Sequence, residues 1–216
     1  MKIGVLGTGM VGEALGTKLA ALGHEVRMGS RDAKNPKALA WAAKAGERAS
    51  VGTFADAAAF GELLLNCVGG KVALAALESA GKKNIGSKIV IDIANPLDFS
   101  KGMPPSLLTS SVESLGEQIQ AAFPDARVVK TLNTVTCGVM VDPGSLPEET
   151  DMFLCGNDAG AKKEVEQLLR EGFGWKRVHD LGDITNARAT EHYLPLWVRL
   201  YGKLGTANFN MRLVQG

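Results

Sequence analysis

The residues with the clearest chemical potential lie near the start of the chain, which reads Gly7-Thr8-Gly9-Met10-Val11-Gly12. This G-x-G-x-x-G spacing is typical of a loop that binds the pyrophosphate of a dinucleotide. The first glycine permits a tight turn, the second lets the backbone approach the phosphate, and the third lets the next helix pack closely. That helix presents free N–H groups and partial positive charge to the anion. We therefore predict that all six residues contact the cofactor.

The neighbouring sequence contains the elements that such a loop requires. A strand-like run precedes the glycines at residues 2–6, a helix follows them, and a second strand is predicted for residues 24–28. The apolar stripe of the helix, at the spacing of an amphipathic helix that packs on a sheet, consists of Val11, Leu15, Leu19 and Leu22. The alternative is a purely structural turn between strand and helix, for which one glycine usually suffices.

The second strand is followed by Gly29-Ser30-Arg31, where NAD-binding proteins usually carry an acidic residue that binds the ribose. Without that carboxylate, a 2′-phosphate is not repelled. Ser30 can donate a hydrogen bond and Arg31 a charge-assisted pair, and we expect Lys34 to add a second cation. NADP(H) is therefore favoured over NAD(H), unless Arg31 is only a solvated surface charge. Asp32 either caps the next helix, which we favour because it lies past the strand end, or replaces the ribose carboxylate.

Three later strands are predicted to end around the nicotinamide. In an open parallel sheet, the ligand lies beyond the carboxyl ends of the strands. The segments at those ends contain Val68 and Gly69, then Ala94, Asn95 and Pro96, then Asn133 and Thr134. The two asparagine amides can hydrogen-bond the carboxamide or a substrate, and glycine allows close approach. The alternatives are a simple turn at Asn95-Pro96 and a loop-stabilising role for Asn133.

No acid–base constellation accompanies these segments, so we assign no catalytic residue and no metal ligand. The three histidines occupy positions typical of structural or surface residues. Cys137 has no identifiable partner base and is predicted to be a small buried residue. Ketone reduction requires a protic group at the substrate oxygen, for which Lys130 and Lys71 are the first candidates. Hydride transfer between two ring systems requires mainly positioning.

These residues need a scaffold that brings several strand ends together, and the sequence predicts one. Strand-like and helix-like runs alternate along the chain, which indicates right-handed crossovers and a mainly parallel sheet covered on both faces. We predict an α/β, doubly wound Rossmann fold with a C-terminal helical segment. Residues 1–216 are expected to form a single domain, with a dinucleotide-binding core at about 1–135 and an extension at 136–216. Residues 97–114, rich in Pro, Gly and Ser, are predicted to form a long loop.

Composition narrows the classes of function. The 24 basic residues nearly balance the 23 acidic ones and are spread along the chain, so we expect no nucleic-acid partner. The three cysteines show no metal or disulfide spacing, which favours a reducing compartment. We find no signal-peptide pattern and no apolar run long enough to cross a membrane. The expected location is the cytoplasm.

Longer stretches of the chain resemble a known family. The sequence is similar to the NADPH-dependent reductases of the deazaflavin coenzyme F420, a family that also resembles the cytoplasmic domain of the STEAP metalloreductases. The resemblance covers nearly the whole length and rests on GVLGTGMVGEALGTKLAALGHEV, GSR, DIANPLD, ARVVKTLNTV and LGDITNARATEHYLPLWVRLYGKLG. It implies an NADP-dependent oxidoreductase that passes hydride to a small-molecule acceptor, either F420 or a flavin such as FMN or FAD. It also implies that Ser30 and Arg31 bind the 2′-phosphate.

Two alternative functions stay open at this point: a small carbonyl or imine reductase, and a non-catalytic protein that senses NADP(H).

The C-terminal segment is predicted to form a helix that is apolar on more than one face. One stripe consists of Leu196, Leu200 and Leu204, and an adjacent one of Tyr193, Trp197 and Tyr201. One face can cover the sheet, and the other is expected to pair with a second copy in a homodimer, unless both stripes are buried within the monomer.

Overall fold

Eight strands form one sheet in the computed structural model, which describes all 216 residues. In chain order the strands are β1 (Lys2–Leu6), β2 (Glu25–Ser30), β3 (Ala49–Thr53), β4 (Leu63–Asn66), β5 (Ile89–Asp92), β6 (Leu97–Asp98), β7 (Ser106–Leu107), β8 (Arg127–Thr131), β9 (Asp151–Gly156) and β10 (Arg177–Asp180). The order in the large sheet is β10-β9-β8-β5-β4-β1-β2-β3, while β6 and β7 form a separate hairpin. All pairs in the large sheet are parallel except β8 with β9.

Helices connect these strands. They are α1 (Met10–Ala21), α2 (Pro36–Ala45), α3 (Phe54–Phe60), α4 (Ala73–Ala80), α5 (Lys82–Ile85), α6 (Leu115–Ala122), α7 (Cys137–Val141), α8 (Ala159–Gln167), α9 (Ala187–His192) and α10 (Leu194–Leu204). None is both long enough and apolar enough to traverse a bilayer. The predicted α/β, doubly wound, mainly parallel fold is confirmed, including its C-terminal helices.

The sheet separates two hydrophobic cores because successive side chains of a strand point to opposite faces. Ile3 and Val5 of β1 pack in one core, whereas Leu6 packs in the other. In β5, likewise, Ile89 and Ile91 are separated from Val90. Both faces are therefore covered, and the strand ends are left as the places where side chains can meet a ligand.

Several elements lie outside the runs that the sequence suggested. β3 and α3 were not predicted, because ASVGT has few of the large β-branched or aromatic residues that indicate a strand. The predicted loop at residues 97–114 contains the short β6–β7 hairpin. The expectation that Asp32 caps the next helix is wrong. Asn35 caps α2, and its side chain accepts from the backbone N–H groups of Lys37 and Ala38.

Candidate functional site

The glycine-rich loop between β1 and α1 has the backbone geometry that a phosphate-binding turn requires. Gly7 adopts a φ of +122°, which side-chain-bearing residues rarely adopt. A Cβ added to Gly12 would lie 2.1 Å from the carbonyl oxygen of Gly7, so only glycine fits where the helix meets the turn. A Cβ added to Gly9 would meet no atom within 4 Å. The space in front of Gly9 is therefore open to a ligand, and no side chain caps the N-terminus of α1.

A cavity of about 810 Å³ opens in front of this loop. It is lined by residues from the β1, β2 and β4 ends and from α4, namely Gly7, Thr8, Gly9, Ser30, Arg31, Asp32, Asn35, Phe54, Cys67, Val68, Gly69, Val72, Ala75, Ala76 and Ser79. The structure thus brings the glycine loop and the Ser30-Arg31 pair to one cavity. A phosphorylated adenosine fits this chemistry, because uncapped helical N–H groups and a guanidinium both favour anions.

The residues at the end of β2 take different roles in this cavity. Arg31 is exposed and its guanidinium makes no hydrogen bond or ion pair within the protein. Ser30 is almost fully buried, and its hydroxyl donates to the carbonyl of Asp32 instead of standing free for a phosphate. The Asp32 carboxylate accepts from the backbone N–H of Lys34. Lys34 does not line the cavity, so its predicted contact with the cofactor has no support from this arrangement.

A second, larger cavity of about 840 Å³ lies beyond the ends of β4, β5 and β8, and most of its lining is hydrophobic. Met10, Val11, Val68, Gly69, Ala94, Asn95 and Asn133, all predicted from sequence, line it. Lys71, a candidate proton donor from the sequence, also lines it, as do Trp197 and Tyr201 of the C-terminal stripe. The sequence did not identify several other residues of the wall, among them Leu97, Phe99, Met103, Val135, Met140, Leu194 and Val198. Cys137 also lines this cavity and is only half-buried, so the prediction that it is buried is wrong in part.

The two cavities adjoin, because Cys67, Val68 and Gly69 line both. Close packing of two loops forms this junction: a Cβ added to Gly70 would lie 2.3 Å from the carbonyl oxygen of Asn95. Burial, reinforced by the Asp92 carboxylate, raises the pKa of the Cys67 thiol well above its usual range. Cys67 is therefore a neutral thiol at the junction and not a nucleophile.

Asn95 and Asn133 form a hydrogen-bonded pair in the wall of the larger cavity. The Asn95 amide donates to the Asn133 carbonyl at 2.8 Å, and the Asn133 amide donates to the Asn95 side-chain oxygen at 3.0 Å and to the Thr190 carbonyl at 3.1 Å. The side-chain oxygen of Asn133 is buried without a partner. Such an atom is costly to leave unpaired. Leu132, just before Asn133, has a left-handed φ of +64°.

Four residues predicted to bind the cofactor line neither cavity, namely Gly12, Lys34, Pro96 and Thr134, and one candidate proton donor also lies outside both. Pro96 and Thr134 do not line either one, although both adjoin residues that do. Lys130 is fully buried and its ammonium is occupied by Asp92, Glu191 and the Ala94 carbonyl, so it cannot reach a substrate oxygen. Lys71 is exposed and does line the larger cavity.

Comparison with known proteins places this site among nicotinamide-dependent reductases. A family model described as "NADP oxidoreductase coenzyme F420-dependent" matches residues 2–96. The F420-dependent NADP reductase of Methanocaldococcus jannaschii is 29% identical over 99% of this chain and 98% of its own length. The rat metalloreductase STEAP3 is 27% identical over 91% of this chain but only 38% of its own length.

Solved structures agree with these matches. The structure of a candidate F420-dependent NADP reductase from Arthrobacter sp. FB24 is 50% identical and covers 100% of both chains, with a TM-score of 0.95. A reductive aminase from Aspergillus terreus, solved with NADPH and ethyl-5-oxohexanoate, has a TM-score of 0.67 at 19% identity, over 94% of this chain and 62% of the aminase. At that identity the aminase shares the fold alone.

Proposed function

Because the chain belongs to the family of F420-dependent NADP oxidoreductases, we propose that it transfers hydride between NADPH and coenzyme F420. NADPH, when bound, supplies the hydride; with one proton, it converts F420 to its reduced form and leaves NADP⁺. One observation carries this proposal. A cavity suited to a phosphorylated adenosine adjoins a larger apolar cavity across Cys67, Val68 and Gly69.

The adenosine-side residues would bind and orient the dinucleotide. The open space in front of Gly9 and the uncapped start of α1 suit the pyrophosphate. Arg31, with no partner inside the protein, is available for a 2′-phosphate at the same cavity. Because Ser30 is engaged with Asp32, Arg31 carries most of this recognition, and Ser30 shapes the turn that presents it.

The acceptor-side residues would position two rings and exclude water. The apolar wall from α10 and the loop after β5 suits planar aromatic surfaces, and Trp197 in it stacks with Tyr201 and with Phe209. Asn95 and Asn133, hydrogen-bonded to each other, form a polar part of this wall at which the nicotinamide carboxamide would be oriented. No side-chain proton donor is needed for hydride transfer between rings, so positioning is the main contribution of the protein.

An assay with several acceptors tests the proposal. NADPH oxidation is followed anaerobically with F420, FMN, FAD and a panel of ketones and imines. We expect the highest rate with F420, and background rates from a Gly9→Val variant, whose side chain would occupy the phosphate space and whose Cβ meets no protein atom within 4 Å. Turnover with carbonyls or imines alone would contradict the proposal, and Lys71 would then be the candidate proton donor in the cavity. Tight NADPH binding with no turnover would instead indicate a sensor.

We also propose that the protein is a homodimer through α10. Leu196 and Leu204 on this helix are about half exposed, whereas Leu194 and Val198 on the opposite side are buried. An exposed apolar helical stripe is typical of an interface between copies. Sedimentation velocity at micromolar concentration should give a dimer, and Leu196→Glu should shift it to monomer. A monomeric mass for the wild-type protein would contradict this part of the proposal.

A further inference from the structure

A buried charged cluster lies behind the wall of the larger, apolar cavity, and its side chains line neither cavity. Lys130, at the end of β8, is fully buried and donates to Asp92 at 2.8 Å, to Glu191 at 2.9 Å and to the carbonyl of Ala94. An ammonium has three N–H donors, so these three acceptors occupy it completely. The cluster therefore has no proton to offer a substrate, and any effect on the reaction must act through its neighbours.

One of those neighbours reaches the cavity directly. Lys130 holds the carbonyl of Ala94, and the Asp92 carboxylate accepts from the N–H of the same residue at 3.2 Å. Ala94 and the next residue, Asn95, line the cavity. Both backbone groups of this position are thus tied to buried charges, which leaves the loop after β5 little freedom to shift.

Helix α9 completes the arrangement with two adjacent residues. Glu191 binds Lys130 and also accepts from the backbone N–H groups of Leu115 and Gly116 at 2.8 and 3.1 Å. Thr190 accepts through its carbonyl from the Asn133 amide. One turn of α9 therefore holds both asparagine loops. Glu191 binds Lys130, which binds the carbonyl of Ala94 next to Asn95, and the Thr190 carbonyl binds Asn133 directly.

We infer that Glu191 is a positioning residue for hydride transfer. By holding Lys130 and the start of α6, it fixes α9 so that Asn95 and Asn133 keep their mutual hydrogen bonds in the wall of the larger cavity. This inference rests on the proposed function. Misplacement of a reacting group by about 1 Å can cost about 100-fold in rate, so a small loss of support has a measurable effect.

The test compares Glu191→Gln with Glu117→Gln. Glu117 pairs with Arg188, which also joins α6 to α9, but neither residue contacts the Asn95 or Asn133 loops. Each variant is measured for kcat, for the Kd of NADPH by nicotinamide fluorescence, for the Kd of 2′,5′-ADP, and for its melting temperature. The adenosine analogue reports only on the cavity that contains Arg31.

We expect E191Q to lower kcat by about 10- to 100-fold and to reduce the fluorescence enhancement of bound NADPH. Its Kd for 2′,5′-ADP should stay within about twofold of the wild type, since the adenosine side is untouched. E117Q should lower the melting temperature without either effect. If E191Q is insoluble, Glu191→Asp replaces it, because the shorter carboxylate keeps its charge and cannot span Lys130 and α6 together.

Two results would overturn the inference: unchanged kcat and nicotinamide fluorescence in a folded E191Q or E191D protein, or the same losses in E117Q. Failure of the proposed function looks different. In that case the wild-type protein itself would not oxidise NADPH with F420, whatever the variants do.

Discussion

Replacing Arg31 with alanine should weaken the binding of NADPH far more than that of NADH. Arg31 lines the cavity in front of the glycine-rich loop, and its guanidinium has no hydrogen-bond or ion-pair partner inside the protein, so its removal breaks no internal polar contact. A hydrogen bond to a charged group is worth about 1.5–3 kcal/mol. Because Arg31 is exposed and its charge is screened by salt, we expect the lower half of that range. About 1.5–2 kcal/mol corresponds to a Kd for NADPH that is about 10- to 30-fold weaker.

Fluorescence titration of NADPH and NADH at fixed ionic strength measures both losses in wild-type protein, R31A and Lys37→Ala. Lys37 is an exposed cation on α2 outside the cavity, so K37A matches the change in net charge without the proposed contact. R31A should bind NADH within about twofold of the wild type, and the melting temperature should not change. Raising the salt concentration should reduce the difference between the two cofactors. Equal weakening of NADPH and NADH in R31A, or an equal effect in K37A, would refute the reasoning.

Three further predictions concern other parts of the molecule. Gly9→Val should abolish NADPH binding and leave the melting temperature unchanged. Gly12→Ala should destabilise the fold by about 1–3 kcal/mol, because a Cβ at Gly12 meets the backbone of Gly7 whereas a Cβ at Gly9 meets nothing. Calorimetry distinguishes the loss of binding from the loss of stability. The Arg188 guanidinium lowers the pKa of Glu117 to about 2. The free energy of unfolding in urea should therefore carry its full Glu117 contribution above about pH 4.5 and lose about 3 kcal/mol as the pH falls towards 2. E117Q should abolish this pH-dependent loss. Lys130→Met should cost about 3–5 kcal/mol in the same assay, because it leaves buried carboxylates unpaired.

The local features of the site could be predicted because they depend on short-range chemistry. The glycine spacing, the strand before it and the helix after it lie within about twenty residues, and each glycine is explained by backbone geometry. The absence of an acidic residue at the end of β2 is equally local. The fold class could also be predicted, because strands and helices alternate along the chain and a helix between two strands supplies the crossover connection that parallel strands need.

Where local competition mattered, the prediction was weaker. Asp32 and Asn35 are both good helix caps, and only the backbone of the turn shows that Asn35 serves α2 while Asp32 serves the turn. β3 has a weak strand sequence and forms because β2 offers it an open edge. Lys130 has the chemistry of a proton donor in the sequence, but burial between two carboxylates excludes that role.

By itself the sequence determined the phosphate-binding loop, the unopposed Arg31 and the α/β architecture, because each follows from neighbouring residues or from periodicity. Only the tertiary structure decided which distant side chains line the apolar cavity and how Glu191 supports Asn95 and Asn133. Residues separated by about sixty positions meet there. Such contacts depend on how helices and strand ends pack, which no short-range pattern encodes.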